Sequence, residues 1–242
     1  MIEQDLRQTA HTFVLVHGAW HGGWCWRRVA RLLRGRGHEV FTPTLTGLGE
    51  RSHLLNPAIG LDTHISDVVN VLLWEELENV VLVGHSYAGW VISGVVEKVP
   101  ERIASIVYLD AFMPEDGEKG VDLQSPENRA VTLAALRRGD MARPIPSLDA
   151  FNVNPRDREW VAAKLTLQPI GVALQPIRQT GARHRVAKKT YIRARGSIRP
   201  QYDRYCERLG RDPSWRLYEV PCGHDVMVDM LEQLADILIE VA

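Results

Sequence analysis

Residues 80–89 read VVLVGHSYAG, an apolar run that ends in a serine placed among small residues. Four consecutive apolar residues predict a buried β-strand, because such a run is too short for a helix. The next residues, 90–96 (WVISGVV), have the composition of a buried helix. A strand, a tight turn that carries a serine and a helix together form a nucleophile elbow. The stretch therefore predicts that Ser86 is a nucleophile, with a serine that caps an ordinary helix as the alternative.

Small residues flank this serine on both sides. The residues two positions before and after it are Gly84 and Ala88, which gives the pattern G-x-S-x-A. Strand and helix backbones nearly touch at such a turn, and the single methyl group of alanine fits there. We therefore expect a tight strand-to-helix turn at Ser86.

A second apolar run, residues 13–16 (FVLV), is followed by HGAW at residues 17–20. In folds with a nucleophile elbow, a loop of this kind supplies one backbone N–H of the oxyanion hole, and the residue after the nucleophile supplies the other. These two positions are Ala19 and Tyr87. Gly18 lets the loop approach a substrate carbonyl, because glycine has no Cβ.

The third signal lies near the C-terminus, at residues 215–225 (WRLYEVPCGHD). Apolar and polar side chains alternate there as in a strand, and the pattern stops at Pro-Cys-Gly. Residues 226–241 follow with apolar residues at helical spacing. A histidine between the last strand and the last helix stands where the general base of this type of fold lies. His224 is therefore the predicted base among nine histidines.

The acid member of the predicted triad has several candidates. The chain order should be serine, then Asp or Glu, then histidine. The usual place for the acid follows the strand predicted at residues 189–194, but residues 195–200 (RGSIRP) contain no carboxylate. We predict Asp110, which ends the strand after the serine turn; Asp203 and Asp212 are the alternatives. A buried carboxylate needs a partner, so one is expected for Asp110.

Strand and helix signals alternate along the chain, which predicts an α/β fold with a mostly parallel sheet of about six strands flanked by helices. The expected strands lie near residues 12–17, 38–42, 80–84, 103–109, 189–194 and 215–220, and the expected helices near residues 23–35, 63–77, 87–98, 200–209 and 227–241. Residues 115–185 break this rhythm, with helical pieces at 128–138 and 157–167. We therefore predict a core of residues 1–114 and 186–242 and a small helical cap at 115–185.

These motifs together resemble the α/β-hydrolase group that contains plant methyl-ester esterases, hydroxynitrile lyases and small bacterial esterases. The matching stretches are residues 13–26 (FVLVHGAWHGGWCW), 37–40 (GHEV), 81–89 (VLVGHSYAG), 111–114 (AFMP) and 223–224 (GH). The resemblance implies a serine hydrolase with a triad, a small helical cap and no cofactor. This chain lacks the acid that plant members carry after the penultimate strand. A bacterial subgroup is similarly acid-free there, and Asp110 looks like the replacement.

The composition is compatible with this class of protein. A length of 242 residues suits one α/β domain with an insertion. The net charge of −1 creates no global field for nucleic acid or a membrane surface, and no apolar run approaches the ~18–20 residues that span a bilayer. Three widely spaced cysteines fit neither a disulfide framework nor a zinc site. We expect a cytoplasmic enzyme without metal, nucleic-acid partner, membrane contact or secretory signal, and leave a homodimer open.

The residues assigned to substrate binding are Gly18, Trp20, His85 and Met113, which neighbour the predicted catalytic positions. Aromatic residues near the oxyanion elements favour a pocket for a small hydrophobic or aromatic ester, including methyl esters and methyl carbamates.

Residues 178–211 contain eleven Lys or Arg and two acidic residues. We interpret this segment as solvated surface. Contact of Arg193 or Arg195 with an anionic group is the alternative.

The predicted function is therefore that of a carboxylesterase that forms an acyl-enzyme on Ser86. A hydroxynitrile lyase is an alternative, but the resemblance implies threonine and lysine where this chain has Gly18 and Asp225. A perhydrolase or oxygenase could share the triad. A ligand-binding protein with slow turnover is the alternative from another class.

Overall fold

Eight strands are present in the computed structural model, which describes residues 10–242. They are β1 (Thr12–Val16), β2 (Glu39–Phe41), β3 (Val80–His85), β4 (Ile103–Leu109), β5 (Ala142–Arg143), β6 (Gln168–Pro169), β7 (Lys188–Ala194) and β8 (Trp215–Val220). Six of them form one parallel sheet in the order β2-β1-β3-β4-β7-β8. Strands β5 and β6 form a separate antiparallel pair. The predicted fold class, a parallel sheet of about six strands, is confirmed.

Residues 10–242 also contain nine α-helices, which connect or flank these strands. They are α1 (Arg27–Gly35), α2 (Leu61–Trp74), α3 (Ala88–Lys98), α4 (Pro126–Arg137), α5 (Arg158–Ala162), α6 (Ala182–Arg185), α7 (Pro200–Leu209), α8 (Val226–Asp229) and α9 (Leu231–Glu240). Short 3₁₀ segments account for part of the difference from prediction: the helix expected at 23–35 begins as 3₁₀ at Gly23–Trp26 and continues as α1. The helix expected at 157–167 is shorter and ends at Ala162. No helix in this part of the chain is long and apolar enough to cross a bilayer.

The sheet is covered on both faces, which explains the uninterrupted apolar run in β3. Leu82 packs into the cluster with α2 and α3, whereas Val81 and Val83 pack into the cluster with α1 and α9. Successive strand residues point to opposite faces, so a strand with helices on both sides needs apolar residues at every position.

The turn after β3 is tight, as predicted from the small residues on both sides of Ser86. Ser86 has a φ of 54°, a left-handed conformation that non-glycine residues rarely adopt. A Cβ on Gly84 would lie 2.8 Å from a methyl carbon of Ile92. The closest approach is at Gly89, where a Cβ would lie 1.9 Å from the carbonyl oxygen of Phe112. The helix after Ser86 is therefore packed directly on the chain that leaves β4.

The region between β4 and β7 contains α4, α5, α6 and the β5–β6 pair, together with 3₁₀ turns at Gly120–Leu123, Leu148–Ala150 and Gly171–Ala173. The helical piece expected at 128–138 corresponds to α4. The division of the chain into a core and a cap at residues 115–185 stays a prediction.

Replacing Gly89 by alanine should destabilise the protein, because the added methyl group collides with a backbone carbonyl that cannot rotate away. We expect the free energy of unfolding to fall by about 1–3 kcal/mol. Gly35→Ala is the matched control, since a Cβ at Gly35 meets nothing within 4 Å at the end of α1. Urea denaturation measures both variants. Equal stability of the two would contradict the close contact at Gly89.

Candidate active site

Ser86, His224 and Asp110 meet at the carboxyl edge of the parallel sheet. Ser86 follows β3, Asp110 follows β4 and His224 lies on the loop after β8. The Ser86 hydroxyl lies 2.8 Å from His224 Nε2, and His224 Nδ1 lies 2.6 Å from Asp110 Oδ2. Both contacts are hydrogen bonds, and the one to the Asp110 carboxylate is the shorter of the two, as bonds to a charged group are. The three side chains form one continuous line from a carboxylate to a hydroxyl.

Asp110 is completely buried, and both oxygens of its carboxylate accept hydrogen bonds. Oδ2 accepts from His224, while Oδ1 accepts from the Arg193 guanidinium at 2.8 Å and from the Ala194 N–H at 3.1 Å. The backbone of Asp110 is also constrained: its φ is 41°, and its N–H donates to the Ile192 carbonyl at 2.7 Å. The partner expected for a buried carboxylate is thus Arg193.

The guanidinium of Arg193 is only 2% exposed, and its donors are used within the protein. Nε donates to Asp203 at 2.9 Å, and the remaining groups donate to Asp110 and to the carbonyls of Ala194 and Ser197. Arg195 pairs with Asp203 and Glu219 nearer the surface.

The other two acids considered for the triad do not bond to His224. Asp203 bonds to the two arginines, and Asp212 accepts from Ser214.

The surroundings of Asp110 and His224 favour an ionised carboxylate beside a neutral imidazole. Burial raises the pKa of Asp110, but its hydrogen bond and charge interaction with His224, together with Arg193, outweigh burial and bring the pKa below its usual value. Burial lowers the pKa of His224, and the charge of Arg199 lowers it further against the opposing bond from Asp110. Near neutral pH, Asp110 is therefore ionised and His224 is free to accept a proton.

The two N–H groups predicted to form the oxyanion hole are available. Ala19 and Tyr87 both lie on the cavity wall beside Ser86, and neither N–H donates to an acceptor within residues 10–242. The peptide that carries the Ala19 N–H is held from its other end, because His17 Nδ1 donates to the Gly18 carbonyl at 2.8 Å. Since His17 Nε2 accepts from the Leu45 N–H at 3.0 Å, this ring is neutral.

Two more buried histidines, His21 and His85, contact the loops that form this site. His21 Nδ1 faces the Ala19 carbonyl at 2.8 Å and its Nε2 faces Asp225 at 3.1 Å, so both nitrogens donate and the ring is a cation. Burial lowers the pKa of His21, but the charge and hydrogen bond of Asp225 raise it above its ordinary value. His85 Nε2 donates to the His224 carbonyl at 3.0 Å. These contacts tie the loop after β1 to the loop that carries His224.

A cavity of about 190 Å³ opens beside Ser86 and His224. Its apolar and aromatic wall comprises Ala19, Trp20, Tyr87, Trp90, Phe112, Leu123, Phe151, Val172, Ala173, Ile198 and Pro200. Of the residues predicted to bind substrate, the wall includes Trp20 but not Gly18, His85 or Met113. Gly18 packs between His85 and Ser86, since a Cβ there would lie 2.8 Å from His85 Nδ1. Met113 is buried in the core.

The cavity wall also contains polar residues that no pattern in the sequence predicts. Arg143 and Gln168 line it from the β5–β6 pair, and Arg199 lines it from the loop after β7. No motif marks these positions, because two-residue strands carry no periodicity. Arg193 and Arg195, the arginines considered for an anionic group, are not on this wall.

The fold and the serine site define a class of protein. The sequence matches the alpha/beta hydrolase family over residues 13–237, so the chain belongs to that family. The predicted family membership is confirmed, and relatives that are named esterases support an ester-cleaving serine hydrolase.

A carbendazim hydrolyzing esterase from Nocardioides sp. (strain SG-4G) is 42% identical over 234 residues, which cover 93% of this chain and 96% of that protein. Methylesterase 1 of Arabidopsis thaliana is 41% identical over 105 residues, covering 43% of this chain and 40% of the plant protein.

Among solved structures, an extracellular alpha/beta-hydrolase from a Paenibacillus species superposes with a TM-score of 0.83 at 24% identity, covering 96% of this chain and 99% of that one. The methylesterase MES16 from Arabidopsis superposes with a TM-score of 0.77 at 21% identity, covering 96% and 98% of the two chains. These two likenesses show the fold.

Arg193→Met should lower kcat/KM at pH 7 at least about tenfold, because Asp110 loses the guanidinium that orients its carboxylate. The loss of a positive charge also favours protonated His224, so its pKa rises and the acid limb of the pH profile moves to higher pH. The profile of kcat/KM on a neutral ester measures both effects. Arg195→Met is the control, since Arg195 bonds to Asp203 but not to Asp110. An unmoved acid limb in Arg193→Met would contradict this coupling.

His17 should make the protein less stable in mild acid. Burial lowers the pKa of His17 from 6.5 to about 3. In mild acid the unfolded chain therefore binds a proton at this residue and the folded protein does not. The stabilisation is full above pH 6.5 and is lost as the pH falls toward 3, about 2 kcal/mol of it between pH 7 and pH 5. The free energy of unfolding of His17→Gln should fall less steeply over that interval. His53→Gln, at an exposed histidine, serves as the control; equal slopes for wild type and His17→Gln would refute the assignment.

Proposed function

We propose that this protein is a serine carboxylesterase in which Ser86 is the nucleophile, His224 the general base and Asp110 the acid that orients the base. The observation that carries the proposal is the unbroken line of hydrogen bonds from Asp110 through His224 to Ser86, which ends at a cavity. The left-handed conformation of Ser86 supports it, since strain of this kind is typical of a nucleophile on an elbow.

Acylation starts when Ser86 Oγ attacks the ester carbonyl carbon while its proton passes to His224 Nε2. Asp110 stabilises the imidazolium that forms, and Arg193 keeps the carboxylate ionised and in place. The developing oxyanion accepts from the N–H groups of Ala19 and Tyr87, each contributing about 3 kcal/mol in comparable enzymes. His224 then donates its proton to the leaving alcohol, and the ester bond breaks.

Deacylation repeats the sequence with water as the nucleophile. His224 removes a proton from the water molecule that attacks the acyl-enzyme carbonyl, and the same N–H groups hold the second oxyanion. The proton returns to Ser86 Oγ as the carboxylic acid leaves. The ester is thereby split into an acid and an alcohol without a cofactor.

The substrate class is a small hydrophobic or aromatic ester, including methyl esters and methyl carbamates. Trp20, Trp90, Phe112 and Phe151 on the cavity wall support an aromatic or apolar group. One relative is named as a carbendazim hydrolyzing esterase and another as a methylesterase, and both names support the cleavage of an ester. Residues 115–185 act as a cap over this site, supported by the cavity residues that they contribute, such as Leu123 and Val172. Cytoplasmic location and a homodimer stay predictions.

The alternative of a hydroxynitrile lyase has less support from the geometry. A side chain at Gly18 would collide with His85 and Ser86, and Asp225 is committed to His21 beneath the site. A perhydrolase, an oxygenase and a slow ligand-binding protein would share the triad with the esterase. A measurement of turnover is therefore needed to distinguish these functions.

Initial rates on a short-chain p-nitrophenyl ester test the mechanism directly. Ser86→Ala should reduce turnover to near the uncatalysed background, because no other hydroxyl occupies the place of the nucleophile. Asp110→Asn should lower kcat by about 10⁴-fold, the loss seen when the acid of a triad is removed. Ser214→Ala is the matched control at an exposed serine away from the cavity.

Activity that survived in Ser86→Ala would overturn the mechanism. An Asp110→Asn variant within tenfold of wild type would move the acid to Asp203 or Asp212. Wild-type protein that turned over neither esters nor methyl carbamates but bound them would favour the ligand-binding alternative.

A further inference from the structure

Two hydrogen-bond donors lie side by side on the cavity wall, apart from the triad. Arg143 on β5 and Gln168 on β6 are directly paired in the antiparallel ladder. Side chains of paired residues project from the same face of such a ladder. Both residues line the cavity that contains Ser86 and His224. A substrate whose ester reaches Ser86 therefore has a second polar contact available.

The Gln168 side chain is nearly completely buried, and one of its two polar atoms has no partner. Its Oε1 accepts from the Trp20 N–H at 2.9 Å, which fixes the orientation of the amide. Its Nε2 then has no acceptor within residues 10–242. A buried N–H without a partner costs about 1–3 kcal/mol. Because Gln168 lines the cavity, a bound ligand can supply the missing acceptor.

Arg143 is a cation without a carboxylate partner. No Asp or Glu of residues 10–242 lies within 4.0 Å of its guanidinium, which is stacked 4.8 Å from the centre of the Trp20 ring. When the Gln124 amide is oriented so that its oxygen and its nitrogen both have hydrogen-bond partners, its oxygen accepts one hydrogen bond from the Arg143 guanidinium. Burial lowers the pKa of Arg143 to about 10, so it stays charged at neutral pH. Most of its five N–H donors remain free for a ligand.

The cavity as a whole favours negative charge. Its wall in the described chain contains Arg143 and Arg199 but no Asp or Glu. Arg199 already donates to the Ser197 hydroxyl and the Ala150 carbonyl, so Arg143 is the freer of the two cations. The first turn of α4 adds a weak positive potential, since Ser125 and Asn128 at its N-terminus also line the cavity.

We propose that Arg143 and Gln168 form a subsite for a carboxylate carried by the substrate, so that the preferred substrates are half-esters of dicarboxylic acids. The planar guanidinium can donate to both carboxylate oxygens, and Gln168 Nε2 supplies a third hydrogen bond. Trp20, which follows Ala19 in the chain, contacts both residues of the subsite: its N–H donates to Gln168 and its ring packs against Arg143. The aromatic residues of the cavity wall suit an apolar or aromatic spacer between the two carbonyl groups. This inference rests on the proposed esterase function and names its substrate class.

A series of matched substrates tests the subsite. Monomethyl esters of succinic, glutaric, adipic and terephthalic acid are each compared with the methyl ester of the corresponding monoamide, which is nearly the same shape but neutral. The measured quantity is the ratio of kcat/KM for the acid to kcat/KM for the amide. Both rates come from one preparation, so the ratio does not depend on the folded fraction.

Wild type should prefer the acid at least about tenfold for one or more spacer lengths. Arg143→Gln should lower that ratio at least about tenfold, and Arg143→Lys should lower it less, because a point charge replaces a bidentate donor. Arg137→Gln removes the same charge from the exposed side of α4, away from the cavity, and should leave the ratio unchanged. A wild-type ratio of one or below at every spacer length, with Ser86-dependent hydrolysis of the amides intact, would overturn the subsite and leave the esterase standing.

Binding to Ser86→Ala separates failure of the subsite from failure of the esterase. Calorimetry with the intact half-ester and its amide measures the same charge preference without turnover. Tighter binding of the half-ester that is lost in the Ser86→Ala/Arg143→Gln double variant supports the subsite, even if wild type hydrolyses nothing. Equal affinity for both compounds rejects it.

Discussion

The buried ion pair between Asp110 and Arg193 is the contact on which the geometry of the site depends. A carboxylate with no exposed surface is costly to ionise, and without a cation Asp110 would favour its neutral form. Arg193 supplies the charge from the neighbouring strand β7, and the Ala194 N–H fixes the same oxygen atom. The other carboxylate oxygen is then free to hold His224 Nδ1, which leaves Nε2 directed at Ser86. A guanidinium on one strand thus aligns a hydroxyl two strands away.

Buried histidines organise the rest of the site through their protonation states. His17 is neutral and holds the peptide whose N–H faces the cavity, whereas His21 is a cation that joins the Ala19 carbonyl to Asp225. Asp225 follows His224 in the chain, so one buried ion pair holds the loop after β1 and the loop that carries His224. Such pairs are sensitive to the loss of either partner, because the remaining charge would be buried alone. The polar side chains of the site therefore form a buried hydrogen-bond network at the carboxyl edge of the sheet, surrounded by apolar residues.

The cavity combines two chemical features that lie apart from the hydrogen-bonded line of Ser86, His224 and Asp110. Its aromatic wall favours an apolar group, while Arg143 and the unpartnered amide of Gln168 favour an acceptor at some distance from the ester. Both residues come from the region between β4 and β7, and the hydrogen bond from the Trp20 N–H to Gln168 joins that region to the loop after β1. Trp20 thus connects the loop after β1 to the two residues of the proposed subsite.

The sequence by itself determined the sheet, the turn at Ser86, the position of His224 and the family, because these depend on local patterns: apolar runs, small residues at a tight turn, and chain order. It left three candidates for the acid, and it placed Gly18, His85 and Met113 at a cavity whose wall does not include them. Only the tertiary structure decided that Arg193 bonds to Asp110 rather than facing a substrate, and that Arg143 stands beside Gln168. The physical reason is that these contacts join residues more than twenty positions apart, with no periodic signal in either segment. Burial and pairing of charge are properties of the folded chain, and no local pattern encodes them.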